Sequence, residues 1–325
     1  MEGITEIDKT EYIDECKEIV RNEIPEELSD EMLTIVTNEI MDTCLFIGGD
    51  FKKENIIDIT KQYVTMGGIR RIKKAHEVFK CKHYCEIPTP KGTLRGFFHK
   101  PNQDKHPVCF FVDFHGFTGQ KTGTKFSYVQ LSRMLESKGI ASFRFDFLGS
   151  GESDGNFVDM TFQDELSCAR VILEECLKME NCTEIYVLGH SMGGAIASEL
   201  AKIYPDVIKK MVLWAPAFNL PDALHYLTGQ VERAKTYDHG GYEISDDFVE
   251  DILKRDFYQE LDTYQNDLLV IHGTKDTTVP YEISNTYMKL FHKGTKFVSI
   301  EDGNHNFDKL SDIKQVLKLT LEFFE

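Results

Sequence analysis

Leu188-Gly189-His190-Ser191-Met192-Gly193-Gly194 is the stretch on which the reading of this chain turns. It follows the apolar run Glu184-Ile185-Tyr186-Val187 and precedes Ala195-Ile196-Ala197-Ser198-Glu199-Leu200, so a strand leads in and a helix leads out. A serine flanked by glycines at such a junction predicts a sharp, strained turn, because a β-carbon on either side would collide with neighbouring backbone. The turn lifts the Ser191 hydroxyl above the sheet, and the following helix directs its first amide N–H groups toward it. The competing reading is a structural serine in a tight turn. The residues at the ends of the later strands decide between the two.

Working outward, five more runs read as buried strands: 108–114, 141–147, 210–214, 267–271 and 296–300. Helical patterns at 126–138, 162–178, 192–203 and 281–292 separate most of them, and another at 310–324 closes the chain. Near-continuous apolar strands alternating with helices predict an α/β fold with a mostly parallel central sheet and helices on both faces. In such sheets ligands bind beyond the carboxyl ends of the strands, so the residues just after each strand are the ones that matter. Residues 217–266 show no strand pattern and are rich in aromatics, Phe218 and Tyr226 among them; an excursion of that length predicts a short helical, aromatic cap.

A serine hydroxyl is a weak nucleophile unless a base takes its proton, and the base needs a carboxylate to fix its tautomer. Asp276 stands in the loop after the strand Leu268-Leu269-Val270-Ile271, and His305 follows the last strand in Glu301-Asp302-Gly303-Asn304-His305. Other histidines stand at strand ends too: His115, His190 and His272. His190 adjoins the serine and is expected to point away from it, and His272 is expected to be a core or supporting group beside the acid loop. Asp262, Asp267 and Asp302 compete with Asp276, but only Asp276 follows its strand at the proper remove. An oxyanion would need preorganised N–H donors, each worth about 3–4 kcal/mol. The Met192 amide is one candidate, and the Phe117 amide in His115-Gly116-Phe117-Thr118-Gly119 is the other. His115, the Phe117 side chain, Phe218 and Tyr226 are expected to line the substrate pocket.

On these motifs the chain resembles the α/β-hydrolases of the serine esterase and lipase kind, over roughly residues 86–325. The order Ser191, Asp276, His305 is theirs. His115-Gly116-Phe117-Thr118-Gly119, the Arg144-Phe145-Asp146 segment and the short aromatic insertion most resemble bacterial cinnamoyl or feruloyl esterases, whereas Gly189–Ala197 also looks like monoacylglycerol lipases. Many of the former have glutamine in place of Met192 and histidine in place of Ser150. The resemblance implies a cofactor-independent carboxylic ester hydrolase acting through an acyl-enzyme on a small acyl or aryl ester. It also implies that Arg144 and Asp146 shape a loop near the nucleophile, with Gly149, Gly151 and Gly155 letting the chain turn. Lipase, thioesterase or aminoacyl peptidase activity, and a non-catalytic receptor on the same fold, are the alternatives.

The rest of the chain has a different character. Residues 1–50 hold 15 acids against 3 bases, most of the formal net charge of −17, whereas 51–85 hold 9 bases against 3 acids. Apolar residues recur there at helical spacing, as in Ile13, Cys16, Val20 and Met32, Ile35, Val36, Ile40, which predicts three or four helices over 1–85. We therefore expect an N-terminal helical extension over 1–82 and the hydrolase domain over 83–325, with a homodimer through the extension as one possible role. The basic run Ile69–Lys74 reads as a solvated helix face pairing with the acidic segment. An acidic chain is a poor partner for nucleic acid or anionic lipid. Eight cysteines are too few for a disulfide scaffold, and neither a leader nor a membrane span is read, so a cytoplasmic location is expected. Cys81-x-His83-x-Cys85 offers three ligands at an untypical spacing, and no metal or cofactor is expected.

Overall fold

A computed structural model describes residues 12–25, 27–46, 51–65, 68, 82–101, 106–112, 119–228, 234–290 and 294–325. The chain divides into two compact units, Met1–Lys80 and Cys81–Glu325.

In the first unit α1 (Ile13–Glu23), α2 (Asp30–Phe46) and α3 (Lys53–Thr65) each pack on the other two. Cys16, Ile19 and Val20 of α1 recur at three- and four-residue steps, which sets them on one face. That face buries itself with Leu33, Val36, Ile40 and Cys44 of α2 and Ile56 and Ile59 of α3 in a core of their own. The basic run Ile69–Lys74 lies outside the described residues, as does Cys81 of the Cys-His-Cys run.

The second unit is built on an eight-stranded sheet. Its strands are β1 (Lys82–Thr89), β2 (Gly92–His99), β3 (His106–Val112), β4 (Ala141–Asp146), β5 (Cys182–His190), β6 (Ile208–Trp214), β9 (Asp267–Gly273) and β10 (Thr295–Ile300), in the order β1-β2-β4-β3-β5-β6-β9-β10. β1, β2 and β4 pair antiparallel, and every pairing from β4 through β3 to β10 is parallel. Lys82–Cys85 therefore belong to a strand, where the sequence pattern predicts helices as far as residue 85. The helices of this unit are α4 (Ser127–Ser137), α5 (Phe162–Leu177), α6 (Met192–Ile203), α7 (Leu220–Thr228), α8 (Asp246–Leu253), α9 (Tyr281–Leu290) and α10 (Leu310–Phe324).

The strands read as unbroken apolar runs because both faces are covered. Phe110, Val187, Met211, Leu213 and Val270 enter one core with α5 and α6, while their neighbours Cys109, Phe111, Leu188, Val212 and Ile271 enter the other with α4 and α10. Period-two alternation thus sorts side chains between two cores rather than between core and water. The strand order reverses at β3, which pairs with β4 on one side and β5 on the other. Sheets of this kind bind ligands beyond the carboxyl ends of the strands at such a reversal.

The insertion differs from the helical cap expected for it. Besides α7 and α8 it contains a hairpin, β7 (Thr236–His239) with β8 (Tyr242–Ser245). Gly240 and Gly241 carry φ of 61° and 91° in its two-residue turn, which only glycine adopts at little cost.

Candidate active site

Ser191 sits between β5 and α6 at φ 57°, ψ −124°, a conformation costly for any residue with a β-carbon. The surrounding backbone holds it there. Its N–H donates to the Trp214 carbonyl at 2.9 Å, and its own carbonyl accepts from Gly194 and Ala217, both at 2.9 Å. A β-carbon on Gly189 would lie 2.2 Å from the Gly193 carbonyl oxygen, and one on Gly194 would lie 2.7 Å from Pro216 Cβ. The glycines are needed because strand end, helix start and the Pro216 segment touch backbone to backbone.

The acid and base loops touch in the same way. Asp276 follows β9 and His305 follows β10, whose strands are parallel neighbours. A β-carbon on Gly273 would sit 2.3 Å from the Gly303 carbonyl oxygen. Thr274 N–H donates to the Ile300 carbonyl at 3.0 Å, Lys275 N–H to the Gly303 carbonyl at 2.9 Å, and Asp302 N–H to Thr274 Oγ1 at 2.9 Å.

The three side chains form a hydrogen-bonded line. Ser191 Oγ lies 2.9 Å from His305 Nε2, and His305 Nδ1 lies 2.7 Å from Asp276 Oδ2. All three are at least nine-tenths buried. A carboxylate can only accept, so Nδ1–H donates to Asp276 and leaves the Nε2 lone pair to accept from the serine hydroxyl. Asp276 Oδ1 accepts from the amides of Thr278 at 2.8 Å and Val279 at 2.9 Å. Burial pushes this carboxyl up, but hydrogen bonds from His272, His305 and Val279 outweigh it and hold the group well below the usual carboxylate range. It is an anion wherever the protein is folded near neutrality.

Of the competing acids, Asp302 is ion-paired with Lys275 at 2.6 Å and Asp267 lies at the far end of β9. His190 turns from the serine, with its Nε2 donating to the His305 carbonyl at 3.0 Å. Burial, then the nearby His305, push its pKa down to about 3, so it stays neutral. His272 contacts Asp276 Oδ2 at 3.1 Å. The sequence marks it as a supporting group without saying what it supports.

Met192 is the first residue of α6, so its N–H is one of the amides that a helix leaves without an internal partner. It points where the helix dipole favours negative charge. His115 and Phe117 fall outside the described residues. Just beyond that loop, Lys121 is clamped through its backbone on both sides: its N–H donates to Asp146 Oδ1 at 2.8 Å, and its carbonyl accepts from Arg144 Nη1 at 2.7 Å. Its Nζ pairs with Asp146 and, at 2.7 Å, with Glu152. A β-carbon on Gly151 would meet Asp146 Oδ2 at 2.2 Å. Arg144 and Asp146 thus hold loops, and neither is bonded to the serine, histidine and aspartate line.

Of the residues expected to line the substrate pocket, Phe218 and Tyr226 are among the described ones. Phe218 is 2% exposed and stacks on Tyr287 with centroids 4.2 Å apart, so core packing has used its ring faces. Tyr226 is 71% exposed on α7. Aromatic content locates the insertion but not the direction of each ring.

Among known proteins, the family model for the serine aminopeptidases S33 matches residues 110–236. The chain is 34% identical over 136 residues to the monoglyceride lipase of Homo sapiens, which is 41% of this chain and 39% of that one. It is 32% identical over 123 residues to the putative esterase/lipase 2 of Mycoplasma pneumoniae, 37% of this chain and 41% of that one. The matched stretches span less than half the length of either relative. Est1E from Butyrivibrio proteoclasticus, solved with ferulic acid bound, superposes with a TM-score of 0.68 at 28% identity, covering 74% of this chain and 97% of that one. Strand order, the strained turn at Ser191 and the superposition on Est1E agree: the chain has the α/β-hydrolase fold, and these relatives are esterases and lipases.

Proposed function

We propose that this protein is a serine hydrolase that cleaves carboxylic esters through an acyl-enzyme, with Ser191 as nucleophile, His305 as general base and Asp276 as its orienting anion. The observation that carries the reading is the buried line from Ser191 Oγ to His305 Nε2 and from His305 Nδ1 to Asp276, at 2.9 and 2.7 Å. In the first half-reaction His305 Nε2 takes the hydroxyl proton as Ser191 Oγ bonds to the ester carbonyl carbon. The oxyanion is held by the Met192 amide and a second donor from the Phe117 loop. The imidazolium then gives its proton to the departing alkoxide. Water repeats the sequence on the acyl-enzyme, releasing the acid and restoring the serine.

The substrate class we assign is a small acyl or aryl ester. Ferulic acid in Est1E, whose chain is covered almost end to end, supports an aryl acyl group. The match to monoglyceride lipase supports a glyceryl ester as the second reading.

The test is hydrolysis of p-nitrophenyl butyrate, ethyl ferulate, a monoacylglycerol, an acyl thioester and an aminoacyl amide by the wild-type chain and Ser191→Ala. We expect ester turnover that falls at least a thousandfold in the variant while its circular dichroism is unchanged. Activity retained by Ser191→Ala would mean another nucleophile. No turnover on the whole panel, with saturable binding of one member, would mean a receptor.

A further inference from the structure

His272 is a fully buried histidine with no step of its own in ester cleavage. Its Nε2 lies 3.1 Å from Asp276 Oδ2, the oxygen that also receives His305 Nδ1–H, and 3.0 Å from the Val279 carbonyl oxygen. Both of those neighbours only accept, so Nε2 carries a proton shared between them. The other ring nitrogen, Nδ1, is 2.7 Å from the buried Ser284 hydroxyl, which donates to it in the neutral ring. Ser284 on α9 therefore complements the one neutral tautomer that can serve Asp276.

We infer that His272 is a positioning residue for the general base: its Nε2–H occupies part of Asp276 Oδ2 and thereby sets how strongly that oxygen binds the His305 imidazole. The inference rests on the serine-hydrolase reading for its kinetic consequence, but not for its electrostatic one. With His272 in place Asp276 accepts four N–H groups, from Thr278, Val279, His272 and His305, which is about as many as a carboxylate can take. Two imidazoles divide one oxygen. Removing the His272 donor leaves that oxygen to His305 alone and makes the carboxylate more basic, so it favours the protonated imidazole. It also removes the positive end of an N–H dipole from the neighbourhood of His305. Both effects raise the pH at which His305 loses its proton. The other groups facing this set are His190, neutral and bonded to the His305 carbonyl, and Tyr281, whose ring meets that of His272 edge-on at 5.7 Å.

Two substitutions separate the sides of the ring. In His272→Gln the side-chain amide nitrogen reaches the Nε2 position and can donate to Asp276. In His272→Asn it reaches only the Nδ1 position, keeping a polar group beside Ser284 and losing the one beside Asp276. The experiment follows the His305 ring by NMR from pH 4 to 9 in the full-length wild type and both variants, with kcat and KM for p-nitrophenyl butyrate over the same range. We expect His272→Asn to raise the His305 midpoint by half a unit or more, to move the acid limb of kcat/KM up with it, and to lower kcat about tenfold with KM within twofold. His272→Gln is expected to return the midpoint and acid limb to within 0.2 unit of wild type. Equal midpoints in all three proteins would overturn the inference, and so would equal displacement in both variants, which is what a purely structural role gives. A midpoint shift in a protein without Ser191-dependent hydrolysis would uphold the coupling and remove the proposed activity. Hydrolysis that depends on Ser191, with an unmoved midpoint, would do the reverse.

Discussion

His190 shows how a residue beside the reacting atoms can matter through the proton it refuses. It is buried and neutral, with a pKa pushed down to about 3 by burial and by His305. The unfolded chain binds a proton at this histidine below about pH 6.5 and the folded chain does not, so folding is opposed increasingly as pH falls through that window. Asp276 acts in the same direction lower down: its folded value is depressed, and the stability it confers is lost as pH falls below the unfolded carboxylate value near 4. His190→Gln keeps a donor for the His305 carbonyl and removes the titration. Urea denaturation at several pH values between 6.5 and 4.5 should show a shallower fall of stability in the variant, by up to one proton, or about 1.4 kcal/mol per pH unit. Equal slopes would show that the ring is solvated or already charged in the folded protein.

At the scale of elements, the contact of β9 and β10 through their following loops fixes the spacing of acid and base. No side chain lies between Gly273 and the Gly303 carbonyl, so Gly273→Ala has to push two backbones apart. A displacement of about 1 Å at reacting groups costs on the order of a hundredfold in rate, and we expect that loss in kcat/KM with far-ultraviolet circular dichroism unchanged. Wild-type kcat/KM would show that the loops can part without moving His305. Elements also show how much of the molecule is legible in its sequence. The parallel strands are readable because both faces are buried, and Ser191, Asp276 and His305 because each follows such a strand. β1 and β2 are harder, since Pro88 and a half-exposed strand at the sheet edge blur the pattern. The hairpin β7–β8 escapes because its strands are four residues each and half of their residues are exposed; Gly240-Gly241 between Thr236–His239 and Tyr242–Ser245 is the available signal. That His272 shares an oxygen with His305 has no signal in sequence. A histidine before a glycine looks alike whichever nitrogen faces the acid.

At the scale of the molecule, the groups that hold the Ser191, His305 and Asp276 line, from Trp214 and Ala217 to His272 and Val279, belong to the unit Cys81–Glu325, and the acidic helical unit has a core of its own. We therefore expect residues 81–325 alone to hydrolyse p-nitrophenyl butyrate with kcat/KM within threefold of the full chain. A loss of tenfold or more would give the helical unit a part in the site. The position of the insertion has a further consequence. The chain leaves β6 at Trp214 and returns at Asp267 to start β9, the strand beside it, and this crossover holds α7, the hairpin and α8. The serine has been delivered before it begins, and the aspartate and histidine come after it ends. The inserted segment is thus bounded by two neighbouring strands of the sheet, and its length can change without altering the order in which the chain delivers the serine, the aspartate and the histidine.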